Sequence, residues 1–275
     1  MGAQTFGAAA TDDVVWNCNI TTGGGGTPWL VMMWVYPTTL TAGRTLFGFG
    51  NTACVQINAA TDELRLITQN ATTNGEWTTT GIDLAINEWK FIAISNGNRN
   101  SDVSSYWRAW SGTWNSPLVE ATVSNDVVAA GNFTGNANFY VGNRGTGSVA
   151  FQGSIGEVIL LNQNSLNQLF VPIITDSAAS AMSNANALLN FERAIRKAWA
   201  GEMPLSQGQL GPILSGNTRS WFYWPGDDVR VFSGHAGGTP IDATTIATIN
   251  GATRSGLRPP RPFHMPFLNM PRLAA

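Results

Sequence analysis

From residue 13 to residue 163 the chain is a succession of short apolar or alternating runs. Each is cut off by glycine, asparagine or proline, with no helical periodicity between them. A strand turns its side chains alternately to two faces, so such runs, separated by polar turns, are what stacked antiparallel sheets require. The series reads DVVWNCNI (13–20), WLVMMWVYP (29–37), RTLFGFGN (44–51), ACVQINA (53–59), ELRLITQN (63–70), EWTTTGIDL (76–84), EWKFIAISN (88–96), SSYWRAWSG (104–112), NANFYVGNR (136–144) and FQGSIGEVILLNQ (151–163). WLVMMWVYP is almost continuously apolar and ends at Pro37, which fits a central strand covered on both sides. Trp89, Phe91 and Ala93 alternate with Lys90, Ile92 and Ile94, so that strand is also largely covered. The loop TTGGGGTP between the first two runs is excluded from any strand by the backbone entropy of four glycines.

The totals agree with this reading. Charged residues make up 12% of the chain, about half the usual share, while 30 Gly and 11 Trp supply turns and bulky core. That many aromatics bury enough area to exclude a disordered chain. A formal net charge of −2 gives no general attraction to nucleic acid, and no apolar run approaches the length that spans a bilayer. The cations are two Lys (Lys90, Lys197) and thirteen Arg. Scarce Lys and abundant Trp, Met and Arg match the composition of subunit interfaces. The N-terminal MGAQTFGAAATDD has neither the basic nor the apolar stretch of a signal peptide, and Phe6 stands where a myristoylation signal carries Ser or Thr. The expectation is a chain made in the cytoplasm and used without secretion. Cys18 and Cys54 are expected to be two small buried hydrophobes, although a single disulfide satisfies the count equally.

After residue 165 the texture changes. Leu188, Phe191, Ile195 and Trp199 fall at spacings of three and four, which predicts an amphipathic helix within 177–201, ended by Gly201. Residues 204–257 return to turns and short strands, and RPPRPFHMPFLNMPRLAA (258–275) is rich in Pro and Arg without an acidic residue. Such a tail is extended on its own and needs a surface to lie on; its own domain or a neighbouring subunit can supply one, and the neighbour is the expected one. The organisation expected is an N-terminal arm (1–10), a sandwich domain (11–165), a linker and helix (166–203), a small β-rich region (204–257) and a docking tail (258–275).

Three stretches, WLVMMWVYPTT, NEWKFIAIS and FQGSIGEVILLNQ, resemble in their order and separation the core strands of the concanavalin A-like, laminin-G-type jelly-roll family. The resemblance covers residues 11–165 and implies an all-β antiparallel jelly-roll sandwich. A jelly roll followed by NFERAIRKAW and the terminal RPPRPFHMP further resembles proteins encoded beside the structural genes of tailed phages.

The family includes hydrolases, lectins and inert modules, so Glu157, alone among the apolar residues of 151–163, is the residue to weigh. A retaining pair of carboxylates lies about 5–5.5 Å apart and an inverting pair about 6.5–9.5 Å apart, which alternating acids on one strand provide. Positions 155 and 159 are both Ile, so Glu157 has no such neighbour on its strand. Family members also bind calcium, which wants six to eight oxygens. Gly156 stands where the family often carries Asp, and Asp12, Asp13, Asp102 and Asp126 set no ligand spacing. Calcium therefore stays a minor expectation, and no cofactor is expected. Glu157 is expected to point outward or to pair with an arginine such as Arg144. His235 and His264 lie in no nucleophile motif.

Surface aromatics remain. Trp107, Trp110 and Trp114 with Asn115 form a candidate glycan platform, because indole faces stack on sugar rings and amides bond hydroxyls. The competing reading packs Trp107 and Trp110 on the two faces of one strand. Trp221, Trp224, Arg258, Arg261, Phe263, Phe267 and Arg272 are candidate anchors for docking on another subunit. The first functional expectation is thus a non-enzymatic virion protein of a phage (capsid decoration, head fibre or tail-associated), meeting other virion proteins or its own copies through the C-terminal region. The alternative is a carbohydrate-binding module for attachment to cell-surface glycan. A glycoside hydrolase is third.

Overall fold

A computed structural model of the chain describes residues 3–162 apart from 8, 10, 22–28, 42, 51, 59–60, 97–106, 117, 132–135 and 145–149, together with 220–224, 232–235 and 248–259. Sixteen strands run through these residues: β1 (Gln4–Phe6), β2 (Asp13–Thr21), β3 (Trp29–Pro37), β4 (Thr45–Phe49), β5 (Ala53–Ile57), β6 (Leu64–Thr68), β7 (Gly75–Thr80), β8 (Lys90–Asn96), β9 (Trp107–Gly112), β10 (Val119–Val127), β11 (Asn136–Val141), β12 (Gly153–Asn162), β13 (Ser220–Trp224), β14 (Phe232–His235), β15 (Thr248–Asn250) and β16 (Thr253–Arg254). All the strand-to-strand pairings are antiparallel. No helix occurs among the described residues. The result is the all-β antiparallel sandwich expected of the sequence, and the amphipathic helix expected within 177–201 lies outside the described residues.

The first sheet runs β14-β13-β12-β3-β8-β9-β10 and the second β10-β7-β6-β5-β4-β11-β2-β15. β10 belongs to both. Val119–Ala121 pair with β9, and Thr122–Val127 pair with β7, so the strand turns the corner from one sheet to the other. At the opposite edge β15 pairs with β2 while β16 pairs with β1, which itself pairs with the start of β12. The last two strands therefore straddle both sheets and hold them together.

Alternation decides which side chains meet between the sheets. Trp29, Val31, Met33 and Val35 of β3, with Ile92 and Ile94 of β8, face Phe47, Phe49, Leu66, Trp77 and Phe139 of the second sheet in one core. Trp29 sits among Phe49 (ring centroids 4.9 Å), Phe47 (5.8 Å) and Trp107 (5.3 Å), and Trp77 lies 5.6 Å from Trp107. Tilted and edge-on pairs of this kind add about 0.5–1.5 kcal/mol each beyond burial. The other side of the first sheet is buried as well, with Leu30, Met32, Trp34, Phe91, Ala93, Trp110 and Ile159 all nearly inaccessible. This explains why β3 reads as a continuous apolar run.

β12 carries a bulge. Ile155 pairs with Val35 and Val158 with Met33, so Gly156 and Glu157 together oppose Trp34. The extra residue returns both Ile155 and Val158 to the core. It also makes room for the C-terminal segment, because Pro259 packs on Gly156 where a Cβ would stand. Gly156→Val is expected to push Pro259 away, costing about 1–3 kcal/mol as in other overpacked sites. A lowered Tm, with faster tryptic cleavage after Arg254, would show it.

Three expectations are revised or decided accordingly. Residues 4–6, read as part of an arm, form a strand of the sandwich. The described strands within 204–257, a region the sequence leaves open as a small domain or an extension of the first, add to the edges of the two sheets. At the head of the tail, Pro259 lies on the chain's own β12, where a neighbouring subunit was expected. Cys54 is a buried free thiol, as the hydrophobe reading expects. Burial pushes its pKa up, and Arg144 beside it pulls part of the way back.

Where β15 meets β2, the Asn250 amide donates to Asp13 Oδ1 at 2.7 Å, and Gly7 N–H donates to Asp12 Oδ2 at 2.8 Å. Both carboxylates are buried. Burial pushes Asp13 above its ordinary value near 3.8; the Asn250 bond pulls it down, and the Asp12 charge adds to the rise. A raised folded pKa means that the stabilising proton is held best at low pH and is lost as pH climbs through the folded value. Asp13→Asn, which can still accept from Asn250, is expected to raise Tm at neutral pH. That gain should fade as pH falls towards 3.8, which melts across a pH series would read.

Candidate functional site

Three strands end at one corner of the first sheet. β3 and β8 are neighbours whose last pair is Val35 with Lys90, so Tyr36 follows on one strand opposite Trp89 on the other. Their rings lie 5.4 Å apart and tilted. Next to β8, Phe91 pairs with Gly112 of β9, which puts the turn after β9 beside the Trp89 end of β8. Here the side chains of Tyr36, Asn87, Glu88, Trp89, Thr113, Trp114, Asn115 and Arg258 line a cleft of about 400 Å³.

Both loops that frame the cleft are fixed by local hydrogen bonds. Asn87 takes a left-handed backbone (φ 62°), a conformation asparagine tolerates, and its N–H donates to Pro37 O at 2.8 Å. In the other loop, Thr113 Oγ1 donates to Asn115 Oδ1 at 2.6 Å, and Ser116 Oγ accepts from Thr113 N–H at 3.0 Å. This knot holds Trp114 out of the core, and the residue is 48% exposed. The cleft thus offers aromatic rings, amides, hydroxyls, one carboxylate and one guanidinium. Apolar rings with a few placed polar groups are the general make-up of a small-molecule site.

The candidate glycan residues divide. Trp114 and Asn115 are exposed in the cleft, but Trp107 and Trp110 are buried on opposite faces of β9. Trp107 is in the core against Trp29 and Trp77. Trp110 lies under Arg108, whose guanidinium is 4.9 Å from the ring centroid and is held by Glu120 at 2.6 and 2.8 Å. Neither presents a face to a sugar. Tyr36, Glu88 and Trp89 were missed as site residues because they read as the ends of core strands, and Asn87 because it reads as the turn between two of them. Their signal was positional: aromatics beside a terminating proline and a turn asparagine belong to the rim.

The docking anchors fare differently. Trp224 is fully buried in the chain's own core, since β13 pairs with β12 and sets Trp224 opposite Val158. It is therefore not available to a partner. Trp221 pairs with Leu161 in the same ladder. Arg258 is exposed in the cleft. Arg261, Phe263, Phe267 and Arg272 lie outside the described residues.

Of the two expectations for Glu157, to point outward or to pair with an arginine, the outward one is overturned: at the bulge the residue is 5% exposed. Of the loop acids considered for calcium, Asp12 and Asp13 bond Gly7 and Asn250, Asp126 accepts from Thr78, and Asp102 lies outside the described residues. Another group, Asp62, Glu63 and Asp83, brings its carboxylate oxygens within 4.8 Å of one another. Glu63 already accepts from Thr79 Oγ1 (2.7 Å), Gly81 N–H (2.7 Å) and Ile82 N–H (3.1 Å), so its first task is to hold the loop after β7.

No protein-family model matches the sequence, and no curated protein does. Among solved structures, domains LG4-5 of the mouse laminin alpha1 chain match over 58% of this chain and 41% of that one, at 12% identity and a TM-score of 0.39. The heptameric SAP-like pentraxin of Limulus polyphemus matches over 57% of this chain and 74% of that one, at 11% identity and 0.39. A Bacteroides ovatus protein provisionally named carbohydrate binding matches over 58% and 44%, at 13% identity and 0.38. The chain thus spans less than half of the laminin and Bacteroides chains.

Proposed function

We propose that this chain is a carbohydrate-binding β-sandwich of the laminin-G type that its core strands resemble, with the saccharide seated in the cleft between the ends of β3, β8 and β9. One observation carries the reading: Tyr36, Trp89 and the exposed Trp114 line one cleft with Asn87 and Asn115, on loops fixed before any ligand arrives. Rigid aromatic faces supply contact area at little entropic cost, and amides read hydroxyls. Among the described lining residues Glu88 is the one carboxylate, whereas glycoside hydrolysis uses two. That supports binding over catalysis.

A virion role does not conflict with glycan binding, but its anchors carry less than the sequence promised. The anchor Trp224 is buried in the chain's own sandwich, and Pro259, at the head of the tail, lies on β12. Immobilised oligosaccharides probed with the full-length chain test the proposal. Retention that free saccharide competes away, and that Trp114→Ala abolishes, is expected. Retention unchanged in that variant, or none on any saccharide, would contradict it.

A further inference from the structure

Arg258 enters the cleft from far along the chain, and its position is set on both sides. Before it, Ser255 N–H donates to Ala3 O at 2.9 Å, Ser255 Oγ meets Ser154 Oγ at 3.0 Å, and Leu257 N–H donates to Ser255 Oγ at 3.0 Å. After it, Pro259 is buried against Gly156 and beside Trp34. The residues between Ser255 and Pro259 are thus a strap across β1 and β12, with Arg258 at the cleft. Two other described arginines are tied to carboxylates of their own sheets, Arg65 to Glu76 and Arg108 to Glu120. No ion pair among the described residues ties Arg258.

We infer that Arg258 makes the cleft selective for saccharides that carry a carboxylate, a uronic or a sialic acid residue, over neutral saccharides. This rests on the carbohydrate-binding reading above and adds the ligand class. A guanidinium presents paired N–H donors that match the two oxygens of a carboxylate, and a charge-assisted pair is roughly twice as strong as a neutral hydrogen bond. Lysine would offer only a point charge. Glu88 lines the same cleft and repels a carboxylate brought beside it, so an acidic sugar is oriented with its carboxylate at Arg258 and its hydroxyls towards Glu88. Because Arg258 is exposed, water and salt weaken the pair, and the preference expected is about fivefold.

The test is an array of matched pairs, glucose- against glucuronate-terminated, galactose- against galacturonate-terminated, and lactose against sialyllactose. It is probed with the full-length chain, Arg258→Gln, Arg258→Lys and Trp114→Ala. The expected result is that the wild type favours the acidic member of at least one pair about fivefold. That preference vanishes in Arg258→Gln and in 0.5 M salt (roughly a 4 Å screening length), is reduced in Arg258→Lys, and Tm is unchanged. Which pair responds separates uronic from sialic acid. Equal binding of acidic and neutral members, or a preference that survives Arg258→Gln, overturns the inference while leaving the carbohydrate site intact. Binding of no member overturns both.

Discussion

Trp224→Ala is expected to cost about 3–5 kcal/mol, the usual loss for deleting a large buried aromatic, and to lower Tm by roughly 10 °C. Trp224 has no accessible surface, lies in the common core, and is delivered there by a ladder in which Val158, Ile159 and Leu160 of β12 pair with Trp224, Tyr223 and Phe222 of β13. A chain cut before β13 would lose that side chain and expose the edge of β12, so the same melt should show truncation at residue 219 to be at least as harmful. Thermal denaturation followed by circular dichroism reads both. An unchanged Tm, with loss of self-association instead, would return Trp224 to the role of a docking anchor.

Trp114→Ala is the second large effect, and it should fall on binding alone. The residue is half exposed and stands outside the core, so removal of its ring opens no cavity. Central aromatic anchors of binding sites are worth about 2 kcal/mol or more, which corresponds to roughly a thirtyfold loss of saccharide affinity. Trp107→Ala makes the complementary control. Trp107 packs on Trp29 and Trp77, so that change should unfold the sandwich before it affects any ligand directly. Calorimetric titration of Trp114→Ala beside its melting curve separates the two kinds of effect.

Much of the sandwich was legible because β3, β5 and β8 carry their burial in their composition. WLVMMWVYP is buried on both faces and reads so, and the run ended where Pro37 stands. β10 was not read from the sequence. Its Val119, Thr122 and Val127 are exposed because it bends round the corner, so it lacks the apolar face that marks the other strands. The attachments of β1, β15 and β16 were equally hidden, since they depend on pairings between residues more than a hundred positions apart, such as Gln4 with Ile155 and Asn250 with Asp13, and β13 reaches β12 across sixty positions or more. Glu157 misled for a local reason. A strict two-residue period puts it on a face, but the bulge at Gly156 breaks that period at this very position.

The candidate site was half legible. Trp114 and Asn115 were found through the density of tryptophan in YWRAWSGTWN, and the same density drew in Trp107 and Trp110. Telling them apart needs to know that β9 ends at Gly112, one residue before the turn that lifts Trp114 out. Trp89 and Tyr36 were assigned to the core, and Arg258 to a partner. They share the cleft only because β3, β8 and the strap over β12 end at the same corner.

The indole N–H resonances test the account most directly. The chain has 11 tryptophans, each with one such signal, spread between the core and the cleft. Titration with a saccharide bound on the array should move the signals of Trp89 and Trp114, assigned through single substitutions, and leave those of Trp29, Trp77 and Trp107 in place. Movement of the core signals alone, or saturation with no change at Trp89 and Trp114, would contradict a saccharide site at this corner.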